Sequence, residues 1–313
     1  MHNILRYIRM NKKKLIKVAL ILAFLIILLQ ALNYLAGRKQ SVEYNNYYSN
    51  IQNETNGTIK SDKSAVSGEK VSSKEIKEVG NIIKNFVEFC NQREIERAYE
   101  LISQQCKENL YKDIESFKND YYARVFKGEN RNYTVQNWTG NTYIVNFTED
   151  LLATGKSISD ASFTDYITIV EEKNEKKLNI NSFINKKEIN KENEKDNIKI
   201  KILNQIQFME YSIYEIEVHN KTNGTILLSS LTNGANDIYL KDNNDNRINS
   251  YINELSSEEL KVYTKNNKKI EIKFDEPYIK NRKINSLNFK NILLDYKADN
   301  YGASFKTSVS VNI

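Results

Sequence analysis

The stretch Phe86-Val-Glu-Phe-Cys-Asn-Gln-Arg-Glu-Ile-Glu-Arg-Ala-Tyr-Glu-Leu-Ile102 predicts the end of one amphipathic helix and the start of a second. Upstream, Ser72-Ser-Lys-Glu75 is a capping-box pattern, and apolar residues recur at helical spacing from there to Cys90. Asn91-Gln92 breaks this spacing, and residues 93–102 predict a short second helix. A third helix is predicted after it, with one apolar side formed by Leu110, Ile114, Phe117, Tyr121 and Phe126.

Beyond residue 126 the apolar pattern changes from helical spacing to alternation. Residues 133–138, 142–147, 162–170 and 178–183 alternate apolar and polar side chains, which is typical of half-buried strands. Gly140-Asn141 and Asn174-Glu-Lys-Lys177 are turn sequences between successive strands, and they favour hairpins. The segment therefore predicts helices followed by a curled antiparallel sheet.

Two or three helices followed by such a sheet, over about 110 residues, resemble the cystatin-like roll of the nuclear-transport-factor-2 superfamily. The resemblance covers residues 73–185, and residues 166–180 resemble the closing hairpin of such rolls. It implies a roll but leaves function open, because this fold hosts enzymes, ligand-binding proteins and scaffolds. The short second helix of such rolls reads A-Y-x-L-hydrophobic, which is matched by Ala98, Tyr99, Leu101 and Ile102.

An apolar run precedes the roll. Residues 15–36 admit only Lys17, Gln30 and Asn33 as interruptions, and at ~1.5 Å per residue a helix of this length spans a hydrocarbon core of ~30 Å. Six bases and no acid occur before residue 18, which predicts a cytoplasmic stub over residues 1–14 and an extracytoplasmic remainder. A cleaved signal peptide is the alternative, but Tyr34 would occupy a position that cleavage sites fill with a small residue.

The remaining sequence predicts a linker and a second domain. Residues 37–72 contain too few apolar side chains to fold and are predicted to be a flexible linker. A charged stretch, 186–196, is expected to bridge to residues 197–313, where seven or so short strand patterns favour a β-sandwich. Residues 268–278 resemble immunoglobulin-like domains exported by Gram-positive bacteria. The predicted fold class is α+β: a transmembrane helix, an α+β roll, then an all-β immunoglobulin-like sandwich.

Charge is distributed unevenly along the chain. The whole sequence has 46 lysines and arginines against 40 acids, a net charge of +6. Eight of the bases lie in the first 40 residues, which contain no acid, so the remainder has 38 bases against 40 acids. The excess of bases therefore belongs to the N-terminal topology signal, and a nucleic-acid partner is not expected.

Cys90 and Cys106 are the only cysteines. A short second helix that returns the chain would bring them within disulfide reach, and a bond closing a loop of ~15 residues contributes roughly 3 kcal/mol in the chain-entropy treatment. Two buried free thiols are the alternative. Metal or redox chemistry is not expected, because no Cys-x-x-Cys motif or neighbouring histidine occurs.

Candidate catalytic and metal-binding groups are few, and no cofactor or metal is predicted. His2 and His219 do not combine with a serine or cysteine in a recognisable catalytic arrangement. The stretch 242–246 resembles a calcium loop but lacks its glycine and its closing glutamate, so a polar hairpin turn is favoured. Four acids flank the strands of the roll and leave a paired-acid site open: Glu149, Asp150, Asp160 and Asp165.

Aromatic residues in the roll allow two interpretations. They could line a ligand pocket, or they could form the aromatic core of a curled sheet, which the composition favours. The residues are Tyr121, Tyr122, Phe126, Trp138 and Tyr166.

The function expected from these features is a non-catalytic, membrane-anchored scaffold of an envelope assembly. The arrangement resembles subunits of conjugation and type IV secretion channels, which carry a nuclear-transport-factor-2-like domain outside the membrane. That resemblance implies the membrane and other envelope proteins as partners, with a homo-oligomer as an option. The alternative is a module that binds a small ligand or a cell-wall fragment in the roll cavity, and an enzyme is the least favoured reading.

Overall fold

The computed structural model describes residues 58–59, 63–66, 68, 70–149, 162–229, 237–297 and 305–313. The chain divides into two compact units, Met1–Thr55 and Asn56–Ile313, and all described residues belong to the second. The predicted cytoplasmic stub, the apolar segment 15–36 and most of the predicted linker therefore lie outside the described residues.

Short helices follow one long helix. Helix α1 begins as the sequence predicts, since the Ser72 hydroxyl accepts a hydrogen bond from the Glu75 N–H at 3.2 Å, and its apolar stripe is buried. A π-helix, Phe117–Tyr122, follows the fourth of these helices. The α-helices are α1 (Ser73–Asn91), α2 (Ile95–Glu100), α3 (Gln104–Leu110), α4 (Ile114–Ser116) and α5 (Ala123–Val125).

The first sheet packs its buried face against these helices and forms the first core. Its strand order is the chain order, and only the β1–β2 pair is parallel. Strand β1 comes from the segment predicted as a linker, so part of that segment belongs to the sheet. The strands are β1 (Thr58–Ile59), β2 (Asn132–Thr139), β3 (Thr142–Thr148), β4 (Ser162–Glu172) and β5 (Glu175–Asn179).

Ten further strands follow along the chain. They are β6 (Phe183–Lys195), β7 (Ile198–Phe208), β8 (Ser212–Asn220), β9 (Ile226–Leu227), β10 (Ile238–Asp242), β11 (Arg247–Asn249), β12 (Lys261–Val262), β13 (Asn267–Phe274), β14 (Ile284–Leu293) and β15 (Lys306–Asn312). A 3-10 helix, Ile252–Glu254, and helix α6, Ser257–Leu260, lie between β11 and β12. The stretch predicted as a charged bridge is most of β6 and its turn into β7.

These ten strands form two sheets that share the second core. A four-stranded sheet has the order β13-β8-β7-β6. The other has the order β11-β10-β14-β9-β12, with β15 also paired to β14. Apolar side chains of both sheets belong to one buried cluster, so the two sheets pack face to face.

Strand β7 contributes to both cores. Ile198, Ile200 and Ile202 belong to the second core, whereas Ile206 and Phe208 belong to the first. All five residues have even numbers, so a regular strand would direct them to one face. The register of β7 against β8 shifts between Ile202 and residue 204, and one extra residue in a strand reverses the faces of everything beyond it. The bulge therefore directs the strand's apolar residues from one core to the other.

The predicted fold class is wrong. Of the described residues, 47% lie in strands, mostly antiparallel, and 23% in helices, so the fold is dominated by sheets. The third predicted helix is divided because the Asp113 side chain accepts from the Ser116 N–H and caps a new helix. The stretch 186–196 forms a strand despite its charges, because most of its side chains are exposed and require no apolar alternation.

The predicted transmembrane helix has no counterpart among the described helices. Among the described residues, no helix is long and apolar enough to cross a membrane. The segment to which the prediction refers, residues 15–36, lies outside those residues.

Candidate binding site at the junction of the two cores

The turn between β7 and β8 lies where the two cores meet. The Met209 N–H donates to the Ser182 carbonyl at 2.8 Å, and the Met209 carbonyl accepts from the Tyr278 N–H at 2.9 Å. The buried Gln207 amide donates to the carbonyls of Tyr211, at 3.2 Å, and Glu276, at 3.0 Å. These bonds fix the turn against both the β5–β6 connection and the segment that follows β13.

Partly exposed aromatic rings lie around this turn. Tyr211 stacks on Phe208 with ring centroids 4.6 Å apart. The Lys273 ammonium lies 4.5 Å from the Tyr211 ring and 4.8 Å from the ring of Tyr251, which is 37% exposed. The cation is attracted to the negative face of each ring, so it holds the two tyrosines in a defined arrangement.

A second aromatic pair lies on the outer face of the first sheet. Trp138 and Tyr166 are half-buried, and their rings meet edge to face with centroids 5.5 Å apart. Partial burial raises the pKa of both Tyr166 and Tyr211, and the negative charge of the Glu210 carboxylate raises both further. Glu210 therefore lies near one tyrosine of the first sheet and one of the β7–β8 turn.

We call these six residues the junction surface: Trp138, Tyr166, Glu210, Tyr211, Tyr251 and Lys273. Two further acids, Glu254 and Asp275, lie beside it. The Tyr251 hydroxyl donates to the Asp275 carboxylate at 3.1 Å, and Lys273 forms an ion pair with Glu254 at 3.6 Å. Glu210 is exposed, and no residue in the described part of the chain forms a salt bridge or hydrogen bond with its carboxylate.

An open cavity of about 370 Å³, with both polar and apolar lining residues, lies beside the same turn, between β6, β7 and the segment 276–284. Glu276 lies in its lining and is 4% exposed. Its carboxylate accepts from the Ser212 hydroxyl, from the Tyr214 hydroxyl at 3.4 Å and from the Gln205 amide at 3.5 Å. Burial raises the pKa of Glu276, and these hydrogen bonds together with the Arg282 charge partly oppose that effect.

Three bases line the cavity: Lys187, Arg282 and Lys283. The Arg282 guanidinium donates to the Pro277 carbonyl at 3.2 Å, which fixes it on the loop. Within the described residues, neither lysine ammonium has a hydrogen-bond or salt-bridge partner. We call this site the Glu276 cavity.

The five aromatic residues considered as a possible pocket lining do not face one cavity. Tyr121 and Phe126 are fully buried in the first core, and Tyr122 is half-buried and stacks on Phe126 with centroids 5.4 Å apart. Trp138 and Tyr166 instead lie on the opposite face of the first sheet, because β2 and β4 direct their alternate residues inward. The alternative interpretation, an aromatic core, describes Tyr121 and Phe126.

Cys90 and Cys106 are buried free thiols in the structure. Both belong to the first core, but no bond joins them. Ser103 determines the position of Cys106: its hydroxyl accepts from the Cys106 N–H at 3.0 Å, and its own N–H donates to the Leu178 carbonyl at 2.9 Å. This anchors the start of α3 on the end of β5. Burial raises the pKa of Cys106 to about 12 and that of Cys90 further.

Two of the four candidate acids are described, and both have structural partners. The fully buried Asp165 accepts from the Tyr121 hydroxyl at 2.7 Å and from the N–H groups of Asn181 and Ser182, each at 2.8 Å. Glu149 forms a buried ion pair with Arg131 at 2.8 Å. The other two, Asp150 and Asp160, lie outside the described residues.

The remaining candidates have local roles. Asp242 accepts from the N–H groups of Asn244, at 2.8 Å, and Asn246, at 2.9 Å, so the predicted polar hairpin turn is confirmed. His219 lies 3.1 Å from Glu217, and His2 lies outside the described residues. In the part of the chain that the structure describes, no group of three or more His, Cys, Asp and Glu residues could hold a metal ion.

Sequence reasoning missed the Glu276 cavity and most of the junction surface. Glu276 lies between strand β13 and Pro277, the sole proline, and the sequence there has no apolar periodicity from which burial could be predicted. Comparisons with protein-family models, curated proteins and solved structures find no match, so geometry alone defines these sites.

Proposed function

We propose that this chain is a non-catalytic binding module that recruits a partner protein through the junction surface. The observation that carries the proposal is the group of partly exposed tyrosines fixed around Lys273. Tyrosine and tryptophan are enriched where proteins bind one another, because they bury a large apolar area and lose little side-chain entropy. Rings that are already held in place reduce that loss further.

The charges around the rings define the partner's chemistry. Glu210, Glu254 and Asp275 border the tyrosines, and the first of these has no ionic partner within the described residues. An arginine or lysine of the partner could pair with Glu210 and also lie over an aromatic ring. We therefore propose that the partner presents a basic segment.

Two of the acids considered from the sequence, Asp165 and Glu149, support the non-catalytic part of the proposal. Asp165 holds the β5–β6 turn, and Glu149 pairs with Arg131. Both acids are fully buried, whereas an acid that transfers a proton to a substrate must come within hydrogen-bond reach of it.

The proposed location rests on the sequence alone. The bases before residue 18 and the apolar run that follows favour an extracytoplasmic position for residues 73–313, within an envelope assembly. The partner would then be another envelope protein.

A site-specific cross-linking experiment in cells tests this function. A photo-reactive amino acid replacing Tyr251 should cross-link to a partner peptide that contains arginine or lysine. The charge reversal Glu210→Lys should reduce the cross-link at least tenfold, because it places a cation opposite the partner's basic segment.

Position 263 provides a matched control. Tyr263 is a 55% exposed tyrosine outside the junction surface, and the same photo-reactive replacement there should give no such cross-link. Equal cross-linking from both positions, or a cross-link from position 251 that survives Glu210→Lys unchanged, would contradict the proposal.

A further inference from the structure

Basic side chains outnumber acidic ones in the lining of the Glu276 cavity. The bases are Lys187, Arg282 and Lys283, and the one acidic side chain is Glu276. An ammonium group without a partner near other cations raises the energy of the empty site, and an anion that pairs with it lowers that energy.

The bases lie on two opposing walls. Lys187 is directly opposite Gln205 in the β6–β7 pair, so these two residues belong to the sheet wall. Arg282 and Lys283 belong to the loop wall. A ligand between the walls could accept hydrogen bonds from the cations of both walls.

The loop wall is held in shape before any ligand binds. Asn281 has a left-handed backbone with φ of 73°, and the next N–H, that of Arg282, donates to the Ile279 carbonyl at 3.0 Å. The loop is also attached to the β7–β8 turn through Tyr278. A wall ordered in advance avoids the entropic cost of closing around a ligand.

We propose that the Glu276 cavity binds a small molecule that carries a phosphate group. A phosphate monoester has a charge of about −1.5 to −2 at pH 7 and three strong acceptor oxygens, one for each of the three basic side chains, whereas a simple carboxylate has a single charge and two oxygens. The volume of about 370 Å³ is within the range of sites that accept small organic ligands. This site goes beyond the proposed recruitment of a partner protein and does not depend on it.

Titration calorimetry on the full-length chain tests the site. The probes are glycerol 3-phosphate as an organic phosphate, inorganic phosphate as the free anion, and acetate as a monoanion. Glycerol 3-phosphate should bind saturably and at least tenfold more tightly than acetate. Tighter binding of glycerol 3-phosphate than of inorganic phosphate would assign the site to an organic phosphate, and equal affinities would assign it to the phosphate group alone.

Matched charge variants distinguish binding inside the cavity from general attraction of anions by the positive charge of the protein. The double variant Lys187→Gln with Lys283→Gln should weaken glycerol 3-phosphate binding at least tenfold. The control Lys290→Gln with Lys306→Gln removes the same charge from exposed residues that do not line the cavity, and it should bind like the original chain. Equal weakening in both double variants, acetate binding as tight as phosphate binding, or no saturable binding at millimolar concentrations would overturn the proposal.

Discussion

At the scale of single residues, Asp165 shows how one buried acid holds a connection that the backbone alone would disfavour. Asn181 and Ser182 both have left-handed backbones, with φ of 59° and 61°, which non-glycine residues rarely adopt. Their N–H groups converge on the Asp165 carboxylate. A signal for this role exists in the sequence, since Asp165 shares a strand face with Phe163 and Ile167, and a buried carboxylate requires hydrogen-bond partners. The sequence does not reveal those partners, because they come from a turn beyond the next strand.

We predict that Asp165→Ala lowers the free energy of unfolding by about 2–5 kcal/mol, because it leaves one fully buried and two partly buried donors without an acceptor. Tyr121→Phe removes only one of the donors and should cost roughly 1 kcal/mol. Glu171→Ala on the same strand removes an exposed acid and should change stability by less than about 0.5 kcal/mol. Urea unfolding of the three variants measures these differences. A loss below about 1 kcal/mol for Asp165→Ala would refute the role assigned to this carboxylate.

At the scale of elements, local sequence signals predicted a helix or strand correctly where its own residues determine where it begins and which side is buried. Helix α1 has its cap, its first turn and its apolar stripe within about 20 residues, and its prediction was confirmed. The third predicted helix is divided, because the Asp113 side chain caps a new helix at Ile114. In the π-helix, residues four apart share a face, and Phe117 and Tyr121 stack with centroids 5.8 Å apart inside the first core. The bulge in β7 depends on β8, so alternation along β7 could not reveal it.

The positions of α1 and α3 predict how the thiols react. Cys90 and Cys106 are completely buried by these helices, and burial raises the pKa of each thiol, so the reactive thiolate is both scarce and inaccessible. A thiol reagent should label neither residue on the folded chain within the time that labels a free cysteine peptide. After denaturation without reductant it should label both. If the denatured chain shows no free thiol until it is reduced, then a disulfide joins the two residues and the free-thiol geometry is refuted.

At the scale of the whole molecule, the two cores are connected by strands rather than by a linker. The sequence suggested a boundary at 186–196 because the stretch is charged and lacks apolar periodicity. In the structure, β6 begins with Phe183 in the first core and extends along the second, and β7 contributes side chains to both. Residues 56–313 form one compact unit. Loss of either core would therefore expose strand residues on which the other depends.

We therefore predict that the two cores unfold in a single transition. Leu287 is fully buried in the second core, and Leu287→Ala should cost about 2–5 kcal/mol through lost burial and the cavity that remains. Trp138, the sole tryptophan, belongs to the sheet of the first core, so its fluorescence reports that core. The variant should lower the urea midpoint of Trp138 fluorescence and that of amide exchange in β14 by the same amount. Lys290→Ala is an exposed control on the same strand and should shift neither midpoint. If Leu287→Ala changes exchange in β14 while the fluorescence midpoint stays constant, the two cores are independent, and β7 does not couple them.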